Sequence, residues 1–230
     1  SSAASDVYKR QVADRIEGRL SYDQSKGSET GEKIFQTNLY HYAGTGHLAI
    51  DYAKLMRVGY DGLINEAKDK LSKLSMRDPE YNDKRDFYEA MIIMHEAAKT
   101  YIERYASLCE EKAKEEQDEK RKEELLMMAE NCHQIAGGTP QTFWQAMQLF
   151  NIATTLIQVE SNGHSISYGR MDQWLYPYYE ADMKNGTISK EFALELIEVE
   201  YVKMNNPTKL KDYGSMALRN GRGFGGESLT

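Results

Sequence analysis

The sequence predicts a mainly α protein that forms the helical portion of a larger fold. Three observations carry this. Apolar residues recur close to every 3.6 positions through most of the chain. Hydroxyl, carboxylate, glycine and proline signals stand where those stretches begin and end. One stretch, 141–159, is apolar around nearly its whole circumference, and such a helix must be buried inside a large protein. The 230 residues offer few elements to surround it, so further covering layers are expected.

Bulk properties narrow the function classes. With 40% hydrophobic and 28% charged residues the chain reads as an ordinary soluble globular protein. A formal net charge of -7 argues against a nucleic-acid surface. No apolar run approaches the ~18 residues that span a bilayer, and no signal peptide opens the chain. No membrane partner is therefore expected. Cys109 and Cys132 lie in helical patterns without CxxC spacing. They read as reduced thiols of a cytoplasmic protein, not as a disulfide or a metal site. Residues 1–11, SSAASDVYKRQ, match letter for letter the in-frame translation of a transposon adapter used for sequencing libraries. They are set aside as adapter-derived, which leaves 12–230 as the domain and implies that it begins mid-protein.

The first helix is expected over 51–74, with Leu55, Val58, Leu63, Ile64, Ala67, Leu71 and Leu74 inward. Gly59 and Gly62 interrupt it, so a bend or a close helix contact is expected there. After the Asp78-Pro79 turn, Asp83 or Asp86 is placed to cap a long helix running to about Glu116. Its inward stripe is read as Phe87, Met91, Met94, Ala98, Tyr101, Ile102, Tyr105 and Cys109. The charge run 110–124 reads as the solvated tip of a helical hairpin. Leu125, Leu126, Met128, Ala129, Cys132 and Ile135 then carry a returning helix to Gly137-Gly138. Thr139-Pro140 is expected to start the all-apolar helix. A glycine-punctuated turn, 161–169, leads into an aromatic helix from Met171 to Asn185, stopped by Gly186. Ser189 caps a last helix over 190–204.

His164 and Ser165 are adjacent polar residues in the turn that follows the buried helix. A buried imidazole and hydroxyl need hydrogen-bond partners, and a polar ligand is one such partner. A structurally satisfied pair is the other reading that the residues leave open. Gly221, Gly223 and Gly226 satisfy GxGxxG, but no strand–helix unit frames them, so a dinucleotide site is not expected.

The stretch 160–183, ESNGHSISYGRMDQWLYPYYEADM, resembles the signature of glycyl radical enzymes related to pyruvate formate-lyase. The similarity is to the branch of diol and amino-acid dehydratases and arylacetate decarboxylases. Glu160, Gly163, His164, Ser165, Ser167, Gly169, Arg170, Asp172, Gln173, Tyr176, Pro177, Tyr178 and Tyr179 carry the match. GHLAIDYAKLMRVGYDGLINEA at 46–67, TPQTFWQAMQLF at 139–150 and LKDYG after Asn205 resemble further stretches of that family. Lys211 stands where arginine is usual. The resemblance places the chain as the helical portion of an α/β barrel enzyme, cut at both ends.

What it implies follows position by position. His164 and Ser165 would contact substrate oxygens, and His47 would reach a substrate hydroxyl. Met171 replaces the usual phenylalanine that touches substrate, and Tyr168 also departs from the common residues, so pocket shape differs. His41, His95 and His133 match nothing functional and read as exposed or core-satisfied. The implied reaction cleaves a C–O, C–N, C–C or C–S bond of a small polar substrate by radical chemistry, as a lyase, dehydratase or formate acetyltransferase-like enzyme. No cofactor is expected on this segment, and neither the radical glycine nor the thiyl cysteine. Cys109 sits in an amphipathic helix rather than a barrel loop. The glycyl radical would be installed on the parent, a homodimer of anaerobic metabolism, by a radical S-adenosylmethionine activase. The continuation is expected to hold a Cys-x-Glu loop and a glycine segment resembling RVSGY. A helical binding or scaffold protein that kept the segment for packing is the alternative class.

Overall fold

Of the helix-end signals read from the sequence, Gly186 and Ser189 act where expected, while those at Asp83 or Asp86 and at Thr139 do not. The computed structural model describes residues 48–160 and 166–204. Six helices and one short strand pair make up these residues, in the order β1 (Leu48–Ala49), α1 (Tyr52–Ser72), α2 (Tyr81–Glu115), α3 (Glu119–Gly137), α4 (Phe143–Glu160), β2 (Ile166–Ser167), α5 (Met171–Asn185) and α6 (Lys190–Lys203). The chain is thus mainly α, as expected. No helix among the described residues is long and apolar enough to cross a membrane.

The Asp51 carboxylate accepts the Lys54 N–H at 2.9 Å and caps α1. Gly59 then leaves the helical region, at φ 64° and ψ 179°. A Cβ there would lie 2.5 Å from the Gly137 carbonyl oxygen and 2.6 Å from that of Gly138. The glycine therefore serves both expected purposes, a bend and a backbone approach to the end of α3. The bend also rotates the buried face. Tyr52, Met56 and Tyr60 are buried with Leu55, Ile64 and Ala67, while Val58, Leu63 and Leu71 are only half-buried.

The long helix corrects two expectations. It starts at Tyr81, and neither Asp83 nor Asp86 caps it. Asp78 instead accepts the Glu80 N–H at 2.9 Å and pairs with Lys84 at 2.7 Å, so the Asp-Pro turn itself closes the entry. Its buried positions are Ala98, Ile102, Ala106, Cys109 and Ala113. Phe87 is 61% exposed and Met94 48%, and Tyr105 is exposed too. At ~1.5 Å per residue, α2 outreaches the shorter α3, which covers only its C-terminal half. Gln117 and Asp118 form the exposed hairpin tip, and Asp118 caps α3 by accepting the Arg121 N–H at 3.0 Å.

The start of α4 is a third correction. The helix begins at Phe143, and the Thr142 hydroxyl, not that of Thr139, accepts a first-turn N–H, from Gln145 at 3.2 Å. The Asp182 carboxylate, reaching over from α5, accepts the Phe143 N–H at 2.7 Å. That buried bond decides where the helix opens, because an orphan N–H inside the protein must be met. The ends of α5 and α6 agree with expectation. Gly186 closes α5 at φ 71°, and Ser189 accepts the Phe192 N–H at 3.1 Å to open α6.

The core draws on all six helices and on β2. Phe143, Met147, Leu149, Phe150, Ile166 and Tyr168 lie in one buried cluster with Tyr52 and Ile135.

Candidate functional site

Two strand-to-helix joints stand side by side. β1 leads through Ile50 and Asp51 into α1, and β2 leads through Tyr168, Gly169 and Arg170 into α5. The strands are parallel, with Leu48 opposite Ile166 and Ala49 opposite Ser167. Gly169 makes the second joint possible with a φ of 64°, and the Met171 N–H donates to its carbonyl at 3.1 Å. The sequence reading missed this pair. Two residues per strand are too few for alternation to register, and each strand lies inside a stretch read as a turn or a helix entry.

An aromatic cluster supports the pair. The Tyr52 ring stacks on Trp174 at 5.1 Å and meets the Phe150 edge at 5.0 Å. Tyr168 packs edge-on to Phe150 at 5.1 Å. The Thr154 hydroxyl donates to the Phe150 carbonyl at 2.8 Å, and the Tyr52 oxygen lies 2.8 Å from it. The single threonine proton is spent on the carbonyl, so Tyr52 donates and Thr154 accepts. Tyr178 donates to the Met56 carbonyl at 3.2 Å, tying α5 to α1 just before the Gly59 bend.

Of the sequence-predicted site residues, Met171 is described. It opens α5, half-buried, and packs against the main core. His47, His164 and Ser165 lie outside the described residues, as do His41, Lys211 and Gly221, Gly223 and Gly226. Leu48 and Ile166, which directly follow His47 and Ser165 in the sequence, are register partners.

The remaining titratable groups sit elsewhere. Cys109 and Cys132 are buried free thiols on α2 and α3. Burial pushes the Cys132 thiol up to about 11, against the opposing Gln148 hydrogen bond, and raises Cys109 as well. Such thiols are poor nucleophiles. His133 is exposed, with Glu103 at 2.8 Å and Glu110 at 3.0 Å from its two ring nitrogens. The hydrogen bond to Glu110, then that to Glu103, holds its pKa above the ordinary value. His95 is half-buried beside Tyr60, and burial favours its neutral form. Among the described residues no cluster of three or more His, Cys, Asp or Glu could hold a metal ion.

A cleft of about 710 Å³ opens between the α2–α3 hairpin and the α4–α6 pair, walled by Tyr101, Met127, Trp144 and Phe192. It takes in none of the sequence-predicted residues. Its buried Glu200 accepts from Asn151 at 3.0 Å.

Comparison with known proteins places this geometry. A family model described as pyruvate formate lyase-like matches residues 3–227. The chain is 75% identical over 219 residues to a (2S)-3-sulfopropanediol dehydratase of Klebsiella oxytoca, covering 95% of this chain and 26% of that protein. It is 34% identical over 188 residues to an isethionate sulfite-lyase of Desulfovibrio desulfuricans, covering 81% of this chain and 22% of the relative. Among solved structures, the glycerol-bound B12-independent glycerol dehydratase from Clostridium butyricum superposes with a TM-score of 0.73 at 44% identity. That match covers 77% of this chain and 22% of the dehydratase. The chain thus spans about a quarter of the length of the relatives it matches.

Proposed function

This chain belongs to the pyruvate formate lyase-like family of glycyl radical enzymes, and from that membership we propose that the whole protein dehydrates a sulfonated 1,2-diol, (2S)-3-sulfopropanediol. The observation that carries the substrate is the 75% identity across 95% of the chain. Identity to the isethionate sulfite-lyase is less than half as high, at 34%. Dehydration of a 1,2-diol balances without an oxidant, since one C–O bond breaks, water leaves and a carbonyl forms. A scaffold protein, the other class the sequence leaves open, has no counterpart among these relatives.

Within the proposed pocket His164 and Ser165 hold substrate oxygens, and His47 reaches a hydroxyl across from them. The register of Leu48 with Ile166 supports this, because it joins the chain directly after His47 to the chain directly after Ser165. Met171 shapes one wall. The aromatic cluster of Tyr52, Phe150, Tyr168 and Trp174 backs the pocket and keeps water out, as radical chemistry requires. The glycyl radical, which a radical S-adenosylmethionine activase would place on the parent, would supply hydrogen-atom abstraction by way of a cysteine thiyl. The chain's own residues orient one C–H bond for it. We assign the parent to the cytoplasm of an anaerobically growing cell, as a homodimer with the activase as partner. Residues 1–11 stay assigned to an adapter, and the 219 residues aligned with the dehydratase equal the length of 12–230; the family match, which begins at residue 3, overlaps that segment.

The test is anoxic turnover by the activated full-length enzyme. (2S)-3-sulfopropanediol, glycerol and isethionate are supplied in parallel, and aldehyde and sulfite are measured. Aldehyde formed fastest from the sulfonated diol is the expected result. Sulfite release from isethionate, with no aldehyde from the sulfonated diol or from glycerol, would sink the proposal. In the same assay His164→Ala and Ser165→Ala should each lose roughly tenfold to a hundredfold in rate while forming the glycyl radical normally.

A further inference from the structure

One part of the molecule is entered and left by the chain at the same place. Gly59 breaks α1 with backbone outside the helical region, and Gly137-Gly138 ends α3. These two passages touch, since a Cβ on Gly59 would lie 2.5 Å from the Gly137 carbonyl oxygen. A Cβ on Gly137 would in turn meet the Asp61 carboxylate. Residues 60–137, which hold the rest of α1 with α2 and α3, are therefore joined to the remainder across one seam of glycines. Inside this arm the helices are tied to each other. Lys99 of α2 pairs with Asp61 of α1 at 2.5 Å, and His133 of α3 reaches Glu103 and Glu110 of α2.

Packing between the arm and the remainder is concentrated near the seam. Ala98, Ile102, Ala106, Cys132, Ile135 and Ala136 belong to the main core. Farther out, Cys109, Ala113, Leu125 and Ala129 form a separate cluster within the hairpin. There the arm and the α4–α6 pair part, and the cleft of about 710 Å³ lies between them. Tyr105 and Met127 on one wall and Val199 on the other are each 45% exposed. Gln148 of α4 crosses beside Cys132. Its amide donates to the Met128 carbonyl at 3.1 Å and to the Cys132 sulfur at 2.9 Å, and its oxygen accepts from Asn131 at 3.3 Å.

We propose that residues 60–137 swing as one body about the seam of Gly59 with Gly137-Gly138, opening and closing the cleft, and that Gln148 is the latch that holds the arm in its present position. A hinge needs a few residues that absorb a change in φ and ψ, and glycine at both passages supplies it. Displacement is small close to a pivot, so the buried contacts of Ile102 and Ile135 survive a swing that moves the tip farther. The apolar walls drive closure, because Tyr105, Met127 and Val199 leave water as the cleft narrows. The latch opposes free motion through bonds made from both α3 and α4. The proposal does not depend on the substrate assigned above.

The experiment uses the full-length protein before activation. Ketone-bearing amino acids at the exposed positions Glu96, Glu123 and Glu195, coupled in pairs to nitroxides, give distance distributions by double electron–electron resonance. Glu96 stands beside Lys99 near the seam, Glu123 near the hairpin tip and Glu195 on α6. Gln148→Met keeps the bulk of the latch and removes its hydrogen bonds. Relative to wild type it should broaden the Glu123–Glu195 distribution most and Glu96–Glu195 less, and leave Glu96–Glu123 unchanged. Iodoacetamide should alkylate Cys132, read by peptide mass spectrometry, about tenfold faster once those bonds are gone. Loss of the Gln148 bond to the thiol would by itself slow alkylation, because that bond lowers the thiol pKa. Asn131→Leu removes one latch bond from the arm side, should act in the same direction, and decides the matter if Gln148→Met does not fold. Wild-type Glu123–Glu195 distances in the folded variants overturn the proposal, as does alkylation of Cys132 at the wild-type rate. Equal broadening from Glu96 and Glu123 to Glu195 overturns it too, since the arm then shifts without a pivot. So does broadening between Glu96 and Glu123, since the arm then unravels.

Discussion

The α2–α3 hairpin and the region built from α4, the strand pair and α5 are both helical, yet they are held by different means. In the hairpin the buried residues are mostly small. Cys109 and Ala113 pack on Leu125 and Ala129, and the outer faces carry exposed ion pairs such as Arg121 to Glu124. Around α4 the buried residues are large and aromatic, and the bond between Tyr52 and Thr154 spans 102 positions of sequence. The hairpin is a local structure whose pattern repeats along each helix. The second region is assembled from distant pieces, and the predicted substrate residues adjoin it.

The contrast can be broken by mutation. The largest effect is expected from Phe150→Ala in the full-length protein, which removes the ring shared by Tyr52, Tyr168 and Trp174. A loss of about 3–5 kcal/mol is expected from denaturant midpoints. Leu126→Ala in the hairpin, at a residue 48% exposed, should stay within about 0.5 kcal/mol. Similar losses at the two sites would erase the distinction.

Gly59→Ala probes the seam between the regions. Alanine at φ 64° is strained, and its Cβ would press on the carbonyls of Gly137 and Gly138. About 3 kcal/mol of destabilisation is expected, read as a lower melting temperature. A variant that melts with wild type would mean that the bend is not needed for the close approach.

Asp182→Ala tests the long-range cap on α4. Removing the carboxylate leaves the buried Phe143 N–H without that acceptor, for an expected cost of about 1–2 kcal/mol. Asp182→Asn, which keeps a carbonyl oxygen, should recover part of it.

The smallest effect belongs to the hairpin surface. Both ring nitrogens of His133 face carboxylates, so the protonated ring is the stabilised form. Its pKa lies above the ordinary 6.5, first through Glu110 and then Glu103. That contribution is complete below about pH 6.5 and is lost as pH rises through the higher folded value. Wild type should therefore lose stability relative to His133→Gln as pH rises from about 6.5 through the raised folded pKa, by no more than about 0.5 kcal/mol at so exposed a site. An equal pH dependence in the two proteins would remove the ion pairs from the account.

The sequence by itself determined the helices and most of their ends, because those depend on neighbours within a few residues. Ser189 and Gly186 cap or stop helices through bonds to residues three to four positions away, and such signals survive without a fold. It also determined the family, since the run from Glu160 to Met183 is long enough to be specific. Tertiary structure alone decided which apolar residues are buried. Phe87 and Met94 obey the helical period, but the period says only that residues share a face, not that a neighbour covers it. It decided the opening of α4, through a carboxylate 39 positions away. And it decided that the stretches following His47 and Ser165 run side by side, because the pairing of two-residue strands across more than a hundred positions is set by the core beneath them and leaves no periodic trace in the chain.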